Sequence, residues 1–275
     1  MTAPLTWLYA PGDRPDVVGR ALAAGADVVV VDLEDAVAPE RKDYARSATA
    51  ELLREPHHPT PVHVRVNALD TPWADTDLKT LAALPGVSGL RLPKVASPRD
   101  ITDAVERTDT GDGGPPLYAL LESALAIEHA YAIARAHPAL RGISLGEADL
   151  RADLGVRCDA GLDWPRSRIV NAARAAALAP PPQSVHPDVR DLDGLAATCA
   201  HGRALGFVGR AAIHPRQLPI IERAYRPTPE EIEKAETIVR AAATNGSAQA
   251  LPDGTFIDAA VVGEARRTLT LARRD

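Results

Sequence analysis

Short apolar runs recur along the chain at similar intervals, and segments with helical periodicity fill the gaps between them. Eight runs have the length of a strand: Leu5–Ala10, Val28–Leu33, Val62–Asn67, Gly89–Lys94, Leu117–Glu122, Gly142–Gly146, Ser184–His186 and Val208–His214. Several are almost continuously apolar, which is typical of parallel strands covered by helices. The pattern therefore predicts an α/β protein in which strands and helices alternate.

This alternation favours a closed (β/α)₈ TIM barrel with right-handed crossovers. The alternative is an open doubly wound sheet, which carries a glycine-rich phosphate turn after its first strand. Here the first strand is followed by Pro11-Gly12-Asp13-Arg14-Pro15, which lacks the G-x-G-x-x-G spacing. We therefore predict one barrel-shaped catalytic domain over residues 1–226.

A capping box marks the start of a segment that lies beyond the eightfold pattern. Thr228 is the predicted N-cap, Pro229 occupies the first helical position and Glu231 the third. The helix is expected to end near Asn245-Gly246, and a short apolar segment and a final helix follow. Residues 227–275 are therefore expected to form a C-terminal helical extension that acts as a lid or a subunit contact.

Composition narrows the class of protein. The chain has 275 residues, of which 45% are hydrophobic and 25% charged, as in ordinary globular domains. A net charge of −6 gives no reason to expect a nucleic-acid or membrane partner. The two cysteines, Cys158 and Cys199, are too far apart for a metal motif, and no apolar stretch is long enough to span a bilayer. We expect a cytoplasmic protein.

Polar residues at the ends of the predicted strands supply the candidate chemistry, because catalytic groups in barrels lie at the carboxyl ends of strands. In the third strand the valines alternate with polar residues, so Arg65 should face the barrel axis while the valines meet the helices. In the fourth strand the same alternation places Lys94 on the face of Leu90 and Leu92, which we assign to the interior. A Schiff-base role for Lys94 is opposed by its acid-rich surroundings, which would keep it protonated.

Acidic residues accumulate at the same predicted strand ends. They are Asp32, Glu34, Glu122, Glu147 and Asp149. Carboxylates brought together in this way either raise their pKa or bind a cation, and oxygen ligands favour Mg²⁺, with Mn²⁺ as the alternative. Structural roles remain open at this point, since Glu34 could simply pair with Arg65 and Asp149 could cap a helix.

Several motifs of this chain are similar to those of the citrate lyase β-subunit-like family of the HpcH/HpaI aldolase superfamily. They occur in collinear order over nearly the whole chain, at Trp7–Pro15, Val31–Pro39, Arg65–Asn67, Leu92–Lys94, Leu121–Ser123, Gly146–Leu150, Ala212–Pro215 and Asp253–Asp258. The resemblance implies a Mg²⁺-dependent carbon–carbon lyase or synthase that acts on short acyl-CoA thioesters and 2-keto acids.

The resemblance also implies roles for individual residues. Glu122 and Asp149 would be the metal ligands, and Arg65 would contact the oxygens of the keto acid. Asp258 would be the acid/base, delivered by the tail of a neighbouring subunit in a trimer or hexamer.

Further candidates surround these residues. Arg14 and Arg20 match positions that approach the CoA phosphates. Asp35 is the second candidate for the base, and Glu34 lies beside it in the sequence.

Three functions follow as hypotheses. The first is a stand-alone acyl-CoA lyase, synthase or thioesterase of the malyl-CoA, citramalyl-CoA or β-methylmalyl-CoA type. The second is the β subunit of a citrate lyase complex, acting on a citryl group carried by a partner's acyl carrier protein. The third is a non-catalytic assembly subunit, which the intact set of Arg65, Glu122, Asp149 and Asp258 argues against.

Overall fold

The computed structural model describes residues 3–56, 58–108, 113–245, 249–250, 254 and 256–273. The chain divides into two compact units. The larger is Leu5–Ala224, and the smaller is Tyr225–Asp275 together with Met1–Pro4.

The larger unit is built on one parallel sheet. Its strands are β1 (Thr6–Pro11), β2 (Val28–Asp32), β3 (Val62–Arg65), β4 (Val87–Leu92), β5 (Leu117–Leu121), β6 (Leu140–Leu145) and β7 (Arg210–Ala212). The order across the sheet is β6-β5-β4-β3-β2-β1-β7. A curled, seven-stranded parallel sheet whose last strand pairs with its first is consistent with a TIM-barrel-like α/β fold.

The strand predicted at Ser184–His186 is absent as a strand. The described residues hold one isolated parallel bridge there, between Gln183 and Arg210. Prolines at 180–182 and Pro187 bracket this segment, and they have no backbone N–H to donate to a ladder. The eightfold prediction was therefore wrong by one strand, and the eighth predicted run forms β7.

Helices follow the strands along the larger unit. They are α1 (Pro15–Leu22), α2 (Lys42–Leu52), α3 (Ala74–Ala82), α4 (Pro98–Thr108), α5 (Ala124–Glu128), α6 (Ala130–Ala134), α7 (Glu147–Leu154), α8 (Asp163–Ala175), α9 (Leu192–Ala204) and α10 (Leu218–Tyr225). Fully buried aliphatic side chains such as Val29, Val31, Leu78 and Ile101 form the core. Throughout the described residues, no helix combines the length and apolarity needed to cross a membrane.

The register of the sheet decides which side chains share a face. Asp32 is aligned with Arg65, and Arg65 with Arg91. The prediction that Leu90 and Leu92 of β4 face the barrel interior was therefore wrong, because Arg91 shares the inner face with Arg65. Leu90 is aligned with Val64 and, like Leu92, is fully buried on the opposite face. The leucines follow the same rule as the valines of β2 and β3, with apolar side chains turned toward the helices.

The smaller unit contains α11 (Pro229–Asn245), β8 (Gln249–Ala250), β9 (Phe256–Ile257) and α12 (Ala259–Ala272). Its apolar cluster includes Ile238 and Ile257. The capping box is confirmed, since the Thr228 and Glu231 side chains each accept a hydrogen bond from the other's backbone N–H. Helix α11 ends at Asn245, and Gly246 of the predicted stop lies outside the described residues, as do residues 253 and 255 of the tail motif.

Candidate active site

A cavity of about 440 Å³ opens among the strand ends of the larger unit. Its polar lining includes Tyr9, Asp32, Asp35, Arg65, Arg91, Glu122, Ser144, Glu147, Asp149 and Ser184. The structure thus brings several residues from the ends of predicted strands together around one cavity.

Arg65 is held at this cavity by carboxylates from β2 and the loop after it. Its Nε and Nη2 donate to the two oxygens of Asp32 at 2.7 and 2.6 Å. Its Nη1 lies 2.8 Å from Glu34 Oε2. The Arg65 pKa is raised by these partners although burial opposes the charge. The guanidinium is therefore a fixed cation with a fixed orientation.

The turn after β2 is ordered by two buried side chains. Asp32 accepts the backbone N–H groups of Glu34 at 2.9 Å and Ala36 at 3.1 Å. Lys42 Nζ donates to the carbonyls of Leu33 and Glu34 at 2.8 and 2.6 Å. Burial lowers the pKa of Lys42. Asp32, which precedes the loop, and Lys42, which follows it, therefore hold the loop that carries Glu34 and Asp35. The sequence pattern did not indicate this role for Lys42.

Lys94 follows β4 in the left-handed region, with a φ of 54°. Its Nζ lies 2.8 Å from Glu34 Oε1, and that contact raises the Lys94 pKa. The expectation that acids keep Lys94 protonated is confirmed. Asp35 is more exposed, and its carboxylate lies 3.8 Å from both Arg65 Nη1 and Lys94 Nζ.

Glu122 lies directly after β5 and is only 6% exposed. Its Oε2 accepts the backbone N–H of Lys94 at 2.9 Å. A Cβ at Gly146 would overlap Glu122 Oε1, so this glycine clears the space that the carboxylate occupies. Burial, with repulsion from Glu34, raises the Glu122 pKa to about 7. Among the described residues, no cation forms an ion pair with this carboxylate.

Asp149 lines the same cavity from the first turn of α7. Its carboxylate is exposed and has no hydrogen-bond or ion-pair partner in the described part of the chain. The described residues contain no group of three or more His, Cys, Asp or Glu side chains placed to hold a metal. Glu122 and Asp149 could therefore supply two oxygen ligands and leave other positions to water or to a bound acid.

Glu147, like Asp32 and Glu34, is paired with an arginine. Its two oxygens accept from Arg166 Nε and Nη2 at 2.9 and 2.7 Å. Arg166 lies on α8 and also pairs with Asp159 and Asp163. Glu147 is thus neutralised by a structural ion-pair network and does not add free charge to the cavity. No local sequence signal links residues 19 positions apart on two helices.

Three other predicted residues lie elsewhere. Arg14 precedes α1 and is exposed, and Arg20 pairs with Asp16 at 3.0 Å on the exposed face of that helix. Asp258 belongs to the smaller unit, where its side chain caps α12 by accepting the N–H groups of Ala260 and Val261. The CoA-binding and acid/base roles of these residues stay predictions.

Comparison with known proteins places this fold and site in a family. Residues 5–215 match the model of the HpcH/HpaI aldolase/citrate lyase family. The chain therefore belongs to that family of lyases, as its motifs indicated.

Two curated relatives are similar over nearly the full chain. A citrate lyase subunit beta from Leuconostoc mesenteroides subsp. cremoris is 34% identical over 281 residues, covering 97% of this chain and 92% of the relative. A (3S)-malyl-CoA thioesterase from Cereibacter sphaeroides is 34% identical over 272 residues, covering 96% and 93%. The two names denote different reactions, so family membership alone does not choose between them.

Two solved structures are also similar to this chain. CitE from Mycobacterium tuberculosis, in complex with magnesium, acetoacetate and coenzyme A, matches with a TM-score of 0.82 and 32% identity over 99% of both chains. RipC from Yersinia pestis matches with a TM-score of 0.71 and 31% identity, over 83% of this chain and 98% of RipC.

Proposed function

We propose that the protein is a Mg²⁺-dependent carbon–carbon lyase or synthase for short β-hydroxyacyl-CoA thioesters, which it cleaves to an acyl-CoA and a 2-keto acid. One observation carries the proposal: a rigidly held Arg65 shares a cavity with the paired carboxylates Glu122 and Asp149. The CitE complex with magnesium, acetoacetate and coenzyme A supports it, because that relative is similar over 99% of this chain.

Glu122 and Asp149 would hold the metal, Mg²⁺ or in its place Mn²⁺. The donor set fits a hard cation, since both ligands are carboxylate oxygens and burial disfavours the Glu122 charge. When bound, the ion supplies Lewis-acid polarisation of the keto oxygen. The remaining chemistry belongs to the side chains of the protein.

Arg65 would bind and orient the keto-acid oxygens. In cleavage, a base takes the proton of the substrate hydroxyl, and the bond between the hydroxyl carbon and the carbon beside the thioester breaks. The electron pair stays on the thioester fragment as an enolate, and protonation of its carbon gives the acyl-CoA. The hydroxyl carbon leaves as the keto group of the acid. Arg65 would stabilise the hydroxyl oxygen as that oxygen loses its proton, so loss of Arg65 should raise the activation barrier of cleavage by about 3 kcal/mol or more.

Asp258 would be the base, with Asp35 as the alternative, and Glu34 would position Arg65 and Lys94. Arg14, which precedes α1, and Arg20, in the last turn of α1, would bind the CoA phosphates. The alternative function is the β subunit of a citrate lyase complex, which the relative from Leuconostoc mesenteroides favours. Arg14 and Arg20 favour a free CoA ligand, because a carrier-protein arm lacks the adenosine phosphates.

The finer architecture is proposed as well. We infer a closed barrel, a C-terminal segment from residue 227 that acts as lid or subunit contact, and a cytoplasmic homotrimer or hexamer in which the tail of one subunit delivers Asp258 to the next. Mixing two inactive variants tests this arrangement. A mixture of the Arg65→Lys protein and the Asp258→Asn protein should regain activity after subunit exchange if the two residues act across a subunit boundary. No recovery of activity would contradict this arrangement.

A substrate panel tests the activity. Purified protein is assayed with malyl-CoA, citramalyl-CoA and citryl-CoA, with and without EDTA, and the products glyoxylate, pyruvate and oxaloacetate are measured. Cleavage of at least one substrate that stops in EDTA is expected, and full activity in EDTA would refute the proposal.

Calorimetry tests the metal site directly. Glu122→Gln and Asp149→Asn are each expected to abolish Mg²⁺ binding without unfolding the protein, while Asp193→Asn, on α9, serves as a control with unchanged affinity. Unchanged Mg²⁺ affinity in the first two variants would remove these residues as ligands.

A further inference from the structure

Arg91 is a buried arginine without a carboxylate partner. It is 3% exposed, and no ion pair joins it to any acid in the described residues. Its Nε is buried and has no hydrogen-bond partner. Arg65 differs in this respect, since Asp32 and Glu34 neutralise it. A buried charge of this kind is strongly unfavourable unless an anion binds beside it.

The rings of two aromatic side chains lie near the guanidinium of Arg91. Its Cζ lies 5.5 Å from the ring of Tyr118 and 6.0 Å from the ring of Trp7. His63 stacks on Tyr118, and burial, together with Arg91, lowers its pKa well below the usual value, so the ring is neutral and does not balance the charge of Arg91. Arg91 lines the active-site cavity, so an anion bound in that cavity can reach it.

The depth of Arg91 follows from its aromatic partner on β1. Arg65 Cζ lies over the ring of Tyr9 at 5.4 Å, whereas Arg91 lies over Trp7, two residues earlier on that strand. Arg91 is also the more deeply buried of the two, because it is 3% exposed whereas Arg65 is only partly buried. Arg91 therefore lies on the floor of the cavity, below Arg65.

We propose that Arg91 is a specificity residue that binds a second carboxylate of the keto acid, at the floor of the cavity beneath Arg65. The inference rests on the proposed function and narrows its substrates to thioesters that release a 2-keto dicarboxylate. A keto acid held at Arg65 would direct a carboxylate two carbons beyond its keto group toward this floor. A ligand without that carboxylate leaves Arg91 buried and unpaired. Polar sites discriminate most strongly against ligands that leave a buried polar group unpaired in this way.

Two ligands of equal length test the proposal. Binding of oxaloacetate and of 2-oxobutanoate, which has four carbons but a single carboxylate, is measured by calorimetry on the full chain with saturating Mg²⁺. The wild type should bind oxaloacetate at least tenfold more tightly. Arg91→Met should reduce this preference to less than threefold and change 2-oxobutanoate binding by less than twofold. Arg54→Met, at an exposed ion pair with Glu51, is the control and should retain the preference.

Several results would overturn the proposal. One is equal affinity of the wild type for the two ligands, and another is an unchanged preference for oxaloacetate in Arg91→Met. A third is an equal loss of affinity for both ligands in that variant, which indicates a packing role for Arg91. If Arg91→Met does not fold, the wild-type comparison and Arg91→Lys decide, because lysine keeps the charge and should retain part of the preference. Failure of both ligands to bind the wild type would instead refute the proposed function itself.

Discussion

Asp32 and Arg65 form a bidentate ion pair between aligned positions of neighbouring strands, with two N–O distances of 2.7 and 2.6 Å. The side chain of Asp32 is 2% exposed and that of Arg65 13%. Since Asp32 also accepts two backbone N–H groups from the following turn, one carboxylate orients both the arginine and the loop that carries Glu34 and Asp35. The orientation of Arg65 and the conformation of this loop therefore depend on the same residue.

Asp32→Asn is expected to lower the free energy of unfolding by about 3 kcal/mol, because it leaves the guanidinium of Arg65 with Glu34 and the more distant Asp35 to balance its charge. Urea unfolding of the metal-free protein measures the change. Glu51→Gln, at an exposed ion pair 2.8 Å from Arg54, is the matched control and should change stability by less than about 0.5 kcal/mol. Equal effects of the two substitutions would show that the buried pair contributes no more than a surface pair.

The raised pKa of Glu122 predicts a pH dependence in the metal-free protein. Between its ordinary value of 4.5 and about 7, the folded state binds more protons than the unfolded state. Stability contributed by this group is therefore present below pH 4.5 and decreases as pH rises through about 7, by at most roughly 3 kcal/mol. Glu122→Gln should remove this part of the slope and be more stable than the wild type at pH 8. Urea unfolding of both proteins at pH 5 and pH 8 in EDTA measures this difference. The same change in the free energy of unfolding between the two pH values in both proteins would contradict the prediction.

Lys94 is expected to form no Schiff base. Its ammonium lies 2.8 Å from Glu34 Oε1, and the resulting rise in pKa leaves it protonated and non-nucleophilic at neutral pH. Treatment with pyruvate and borohydride, followed by mass spectrometry, should show no adduct on the peptide that contains Lys94. A reduced pyruvate adduct at this residue would move the protein to a lysine-dependent aldolase mechanism.

Asp258 can be separated into two roles by substitution. Asp258→Asn should keep the cap of α12, because asparagine is an equally good N-cap, but should lower kcat at least 100-fold if the carboxylate is the acid/base. Asp258→Ala should lose activity and also about 1 kcal/mol of stability. Steady-state kinetics and thermal unfolding measure the two effects. Near-normal turnover in Asp258→Asn would leave the residue with the capping role alone.

The sequence predicted the inner face of β3 because valines alternate there with His63 and Arg65, and that of β2 because Asp32 and Glu34 alternate with Val31 and Leu33. It failed in β4, where Leu90 and Leu92 flank Arg91. There the register with β3, which no local pattern reveals, decides the orientation. The lost strand near Gln183 has a visible cause in the flanking prolines. The capture of Glu147 by Arg166 depends on how two helices pack, so the sequence could not distinguish that acid from Glu122 and Asp149.

Gly146 gives the Glu122 carboxylate room that no other residue type allows. A single added methyl group would push the acid from its place while leaving the hydrophobic layers of the sheet untouched. If Glu122 holds the metal as proposed, alanine at this position would weaken the site without a change to any acid or arginine. Comparison of the charged residues alone would then miss the difference.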